Sequence, residues 1–96
     1  MMRVPRRTVV ASECSLAEFC DLFVSPPIRS QRELAERAGL AQPRVSELWR
    51  GRRIYPAGMA KVCEALGVDE ALFEALLENS ARLDRERAAA PKGGRR

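Results

Sequence analysis

Histidine is absent from this 96-residue chain. That removes His-activated nucleophiles and His/Cys zinc sites in one step. The three cysteines, Cys14, Cys20 and Cys63, form no Cys-x-x-Cys pair, and an odd number does not build a disulfide framework. Each lies beside or within an apolar stripe, so free, buried thiols are expected. Aromatics are scarce, with three Phe, one Trp and one Tyr, and they make no exposed stripe on which single-stranded bases would stack. No apolar run approaches the ~20 residues of a membrane span, and no hydrophobic signal segment follows the N-terminal arginines. A cytoplasmic protein without a membrane partner is therefore expected. There is no Gly-rich phosphate loop either; Gly93 and Gly94 lie between Lys92 and Arg95 in the tail. The acids scatter along helix faces instead of pairing as acid and base. No catalytic residue, metal site or cofactor is expected, and the chain contains no internal repeat.

What is present is a 46% hydrophobic composition, enough for one small domain with a modest core. The net charge of +4 is unevenly spread. Residues 1–11 hold three positive charges, Arg3, Arg6 and Arg7, and residues 80–96 hold six positive and two negative. Between them, residues 12–79 hold eight positive and eleven negative. Within that net-acidic middle, Arg44, Arg50, Arg52 and Arg53 fall within ten residues. The local field, not the sum, decides where phosphate docks. This divides the chain into a basic N-terminal arm (1–11), a globular unit (12–79) and a basic extension (80–96), helical to about Ala90 and disordered beyond Pro91.

The most informative stretch is Gln31 to Gly51, QRELAERAGLAQPRVSELWRG. Leu34, Ala35 and Ala38 precede Gly39; Leu40, Val45 and Leu48 follow it. This pattern predicts two short amphipathic helices joined by a tight turn. Ala35 is small enough to sit where they cross, and Gly39 tolerates the positive φ that reverses the chain. Ser30 and Glu33 read as a capping box that starts the first of the pair. In the second, Val45, Leu48 and Trp49 recur at inward-facing spacing. Pro43, Glu47 and Arg50 then point away, with Arg44 and Ser46 on the flanks. Two such helices set a recognition helix in the major groove of DNA. A helical hairpin that only builds core would share the pattern; the arginine cluster just past it favours DNA.

Three further helices are predicted. Ser15 and Glu18 form another capping box, followed by Leu16, Phe19, Cys20 and Phe23 on one face, giving a helix over about 15–24 that Pro26 and Pro27 end. Met59, Val62, Cys63 and Leu66 mark a fourth helix of the domain, ended by Gly67. Asp69 caps a fifth, with Val68 placed to staple onto Phe73 and with Leu72, Phe73, Leu76 and Leu77 buried. Leu83, seven residues past Leu76, either extends that seam against a second subunit or belongs to a frayed, charged tail. The N-terminal residues Thr8 to Val10 read as a mobile basic arm or a short strand.

These residues resemble the Cro/C1-type, phage-repressor-like helix-turn-helix family. The likeness rests on Gln31, Leu34-Ala35, Gly39-Leu40, Gln42, Val45, Leu48 and Gly51, followed by Ala65-Leu66-Gly67-Val68, and spans roughly residues 15–79. It implies an all-α, compact five-helix domain that binds double-stranded operator DNA, commonly as a homodimer on a palindrome. By the same resemblance Gln31 would anchor a phosphate, and Gln42 would read a base, often adenine, through its paired donor and acceptor. Pro43, Arg44, Ser46 and Glu47 would face the groove. Arg44 suits guanine O6/N7, and Glu47 suits cytosine N4 or the orientation of Arg44 or Arg50. Arg50, Arg52 and Arg53 are expected on the phosphate backbone. Tyr55 is expected either as a phosphate donor or packed on the fourth helix. Pro43 stands where the family commonly has a small polar residue, and the loop from Gly51 to Pro56 is about one residue longer than usual.

The leading expectation is a non-enzymatic, sequence-specific transcriptional regulator, a repressor that covers promoter DNA. One alternative is a DNA-binding antitoxin holding a toxin through its terminal extensions. Another is a helical adaptor that binds protein instead of DNA.

Overall fold

The structure, a computed structural model, describes residues 10–89. Among these, a 3-10 turn (Ala11–Glu13) precedes five helices: α1 (Leu16–Leu22), α2 (Gln31–Ala38), α3 (Gln42–Trp49), α4 (Pro56–Leu66) and α5 (Glu70–Ala89). No strand occurs among the described residues, and the all-α, five-helix class read from the pattern is the one observed. The N-terminal arm lies outside the described residues except for Val10 and Ala11, which begin the 3-10 turn. The end of the C-terminal extension, from residue 90, also lies outside them.

α1 has seven residues, too few to persist by propensity alone. Its first turn holds because its donors find side chains. Ser15 N–H donates to Glu18 Oε1 at 2.9 Å, and Glu18 N–H donates to Ser15 Oγ at 3.2 Å. Leu16 N–H donates across 64 residues to Ser80 Oγ at 2.8 Å, and that hydroxyl donates on to the Leu76 carbonyl at 2.8 Å. Asn79 Nδ2 adds bonds of 2.8 Å to the carbonyls of Ser12 and Cys14. Position 80, where composition suggested the extension begins, is thus mid-helix, and its Ser is only 3% exposed.

Ser80→Ala should therefore destabilise the protein by ~1–3 kcal/mol, because the Leu16 N–H would be left buried without an acceptor. Denaturant midpoints read this directly, and a change below ~0.5 kcal/mol, the size of an ordinary surface substitution, would contradict it.

One core gathers Leu16, Phe19, Cys20, Ile28, Leu34, Val45, Leu48, Val62, Phe73, Leu76 and Leu77. The inward pattern of α2 to α5 follows the one read from the sequence, but Trp49, Met59, Cys63 and Leu72 are only half-buried against this cluster. Phe23 departs from expectation: it is 45% exposed, beside Leu22 at 57%. α1 stops one residue before it, so Phe23 is the C-cap and carries its ring past the edge of the core. It stacks on Phe19 with ring centroids 5.2 Å apart.

Cys14 and Cys20 are buried and Cys63 half-buried, all as free thiols. Burial pushes the Cys20 thiol up to about 12, against a small downward pull from Arg37. Burial also raises Cys14, aided by Glu18 and Glu13, and raises Cys63, aided by Glu70, Asp69 and Glu74. They stay protonated, and so unreactive, at neutral pH.

A thiol whose folded pKa lies above its unfolded value contributes no pH dependence below ~9. It then loses stability as pH rises from 9 toward 12, by up to ~1.4 kcal/mol per unit. Denaturant midpoints from pH 8 to 11 should fall more steeply for the wild type than for Cys20→Ala. Parallel slopes would show that Cys20 is not responsible.

Candidate nucleic-acid interface

The turn between α2 and α3 is built on Gly39, which adopts φ +72°, ψ +39°. In that left-handed conformation its N–H and that of Leu40 both reach back to the Ala35 carbonyl, at 2.9 and 3.0 Å. The Ala35 carbonyl thereby accepts twice, and the chain can turn within three residues. Ala35 and Ala38 are both buried, which lets α2 and α3 approach, and Leu34, Val45 and Leu48 close the seam beneath them. The capping box at the start of α2 is only half formed in the expected way. Ser30 Oγ accepts from Glu33 N–H at 3.1 Å, but Glu33 Oε1 accepts from Arg29 N–H, at 2.7 Å, rather than from Ser30.

With Val45 and Leu48 turned inward, Gln42, Pro43 and Arg44 are exposed on α3, and Ser46 and Glu47 are half-buried on its flank. The α3 N-terminus carries no side-chain cap: its N-cap is Ala41, Pro43 lies in the first turn, and no acid does. Its positive end therefore stays open to an anion. Gln31, half-buried, opens α2, whose own N-cap is Ser30. Arg44 Nη1 lies 3.6 Å from Glu47 Oε1, a solvent-exposed i, i+3 pair. Such a pair is worth ~0–1 kcal/mol and yields easily to a stronger acceptor.

α3 ends in a Schellman turn: Gly51 N–H donates to the Leu48 carbonyl at 2.8 Å and Arg52 N–H to the Glu47 carbonyl at 2.9 Å. Gly51, at φ +87°, presses against α5; a Cβ there would lie 2.3 Å from the Ala81 nitrogen and 2.6 Å from the Leu77 carbonyl oxygen. This contact fixes the C-terminal end of α3. The residues after it spread the predicted phosphate contacts apart. Arg50 and Arg52 are exposed and have no ion pair among the described residues. Arg53 instead makes two hydrogen bonds to the Glu74 carboxylate of α5, Nη1 to Oε2 at 2.7 Å and Nη2 to Oε1. Tyr55 is the N-cap of α4, and its ring covers Gly58, whose added Cβ would lie 3.0 Å from the Tyr55 Cζ. The ring packs on the fourth helix yet remains 47% exposed.

α3, the second helix of a tight helix-turn-helix, thus has an uncapped start and a row of polar groups, followed past its end by two guanidiniums with no ion pair among the described residues. Residues 28–71 match the family model of the Cro/C1-type HTH DNA-binding domain. Over that stretch the chain is similar to Cro/C1-type helix-turn-helix DNA-binding domains. The matched stretch takes in α2, α3, α4 and the first residues of α5, leaving α1 and most of α5 outside it. Comparison with curated proteins and with solved structures gave no match.

Sequence reasoning missed Glu74, Gly58 and the Gly51–Ala81 approach. No local pattern signals a carboxylate 21 residues from its arginine. The Cro/C1-type segment ends before Glu74, so the family likeness does not point to it either. Among the described residues no group of His, Cys, Asp and Glu could hold a metal ion, and no helix is long and apolar enough to cross a membrane.

Proposed function

We propose that this protein is a sequence-specific transcriptional regulator that represses by covering promoter DNA, binding a palindromic operator as a homodimer. The observation that carries the reading is the exposed, uncapped start of α3 with its outward row of Gln42, Pro43, Arg44, Ser46 and Glu47. In a helix-turn-helix these positions meet base edges in the major groove. Gln42 offers the donor–acceptor pair that adenine N6/N7 needs, and Arg44 the fork that fits guanine O6/N7. Pro43 offers apolar contact to a thymine methyl, and Ser46 and Glu47 supply a hydroxyl and an acceptor for cytosine N4.

Gln31, Arg50 and Arg52 hold the backbone on either side, with Tyr55 O–H as a further donor, positioning the domain without reading sequence. Arg53, the next arginine along, is bound to Glu74 instead and is not counted among these contacts. The second copy would place a second α3 about one helical turn of DNA, ~34 Å, away. Leu83, half-buried toward the end of α5, would contribute to that pairing.

Selection of bound sequences from random duplexes tests this reading. The expected result is an inverted repeat whose half-sites lie about ten base pairs apart. Recovery of no common sequence would contradict sequence-specific regulation, and a single asymmetric site would contradict the dimer.

A further inference from the structure

We propose that Glu74 of α5 withholds Arg53 from the DNA backbone, so that this acid sets how many phosphates the protein neutralises and how tightly it binds. The inference rests on the DNA-binding reading above and concerns the same surface.

Four observations carry it. First, the guanidinium is held in a two-point grip, the geometry that fits a carboxylate as well as a phosphate. Glu74 thus occupies the donors a phosphate would need. Second, the grip draws Arg53 sideways. Gly51 abuts Ala81, whereas Glu74 lies seven residues earlier on α5, roughly 10 Å toward its N-terminus. The loop after α3 therefore runs along α5, and its last arginine is anchored there. Third, Glu78 lines the same open groove as Arg53 and Glu74, a space of about 480 Å³. A second carboxylate thus shares the groove with the paired guanidinium, so a phosphate is attracted less at Arg53 than at Arg50 or Arg52. Fourth, Arg50 and Arg52, on the same turn, carry no such partner among the described residues. The restraint is selective for one of three neighbouring cations.

The test is fluorescence anisotropy on a random-sequence duplex from 50 to 200 mM salt, with thermal melts to confirm that each variant is folded. Glu74→Gln and Glu74→Ala should tighten binding about threefold to tenfold at the low-salt end and steepen the log K against log salt slope by about 0.9, one added phosphate contact. Arg53→Ala in the wild-type background should change affinity less than about twofold, since that contact is not made. In Arg53→Ala/Glu74→Ala the gain should vanish. A gain that survives in the double variant would mean that the acid acts only through the general field, and would overturn the inference. So would unchanged or weaker binding by both Glu74 variants, which would make Glu74 inert or a residue that orients Arg53 toward DNA. If the wild type binds no duplex even at low salt, the DNA-binding reading fails. If the wild type binds and the Glu74 variants match it, only the withholding of Arg53 fails.

Discussion

Gly51→Ala is expected to lower the unfolding free energy by about 3–5 kcal/mol, a large share of the ~5–14 kcal/mol available to a domain of this length. Two effects add. The left-handed φ of +87° strains any residue with a Cβ, and the Cβ itself would lie 2.3 Å from the Ala81 backbone nitrogen. Helix backbone cannot rotate aside as a side-chain tip can, so α3 and α5 must separate. Gly39→Ala is the matched control. Its φ of +72° brings similar strain, but nothing lies within 4 Å of the added atom, and about 1 kcal/mol should be lost. In thermal melts the difference should appear as a midpoint at least ~8 °C lower for Gly51→Ala than for Gly39→Ala. Equal, mild losses would mean that α3 does not dock on α5 in solution. Because this contact sets the angle at which α3 leaves the core, any Gly51→Ala protein that still folds should also bind its operator less tightly.

The second large effect concerns readout. Arg44→Ala should weaken operator binding by ~1–3 kcal/mol and relax preference at one base position per half-site. The free protein keeps this guanidinium on the α3 surface, 3.6 Å from Glu47 and open to solvent. The Glu47 pair is cheap to break, and it pre-orients the fork instead of burying it. Arg52→Ala should behave differently, weakening all sequences alike and making the salt slope shallower by about 0.9. Selections run with the two variants distinguish these roles. Equal losses on operator and random DNA for both would remove the distinction between a base reader and a backbone clamp.

What was legible in the sequence was local. The caps at Ser15, Ser30 and Asp69, the reversal at Gly39 and the inward stripes of α2 to α5 each depend on residues three or four apart, and each is found where the pattern placed it. The exposed row on α3 follows from the same arithmetic once Val45 and Leu48 are known to be inside. What was not legible depends on contacts across the fold. Phe23 fits the helical stripe, but where α1 stops decides whether it is covered. Ser80 reads as the first polar residue of a charged tail, yet it serves a backbone donor 64 residues away. Arg53 is one arginine among four until α5 brings Glu74 beside it. Composition counts charges; only the packing says which of them are already paired.

The central claim, that the outward side of α3 is the DNA-reading surface, is tested most directly by titrating isotope-labelled protein with its selected duplex and following backbone and side-chain amide shifts. The account predicts the largest changes at Gln42, Arg44, Ser46 and Glu47, with smaller ones at Gln31, Arg50 and Arg52. Changes concentrated at Leu22 and Phe23 or along the outer face of α5, with α3 unmoved, would contradict it.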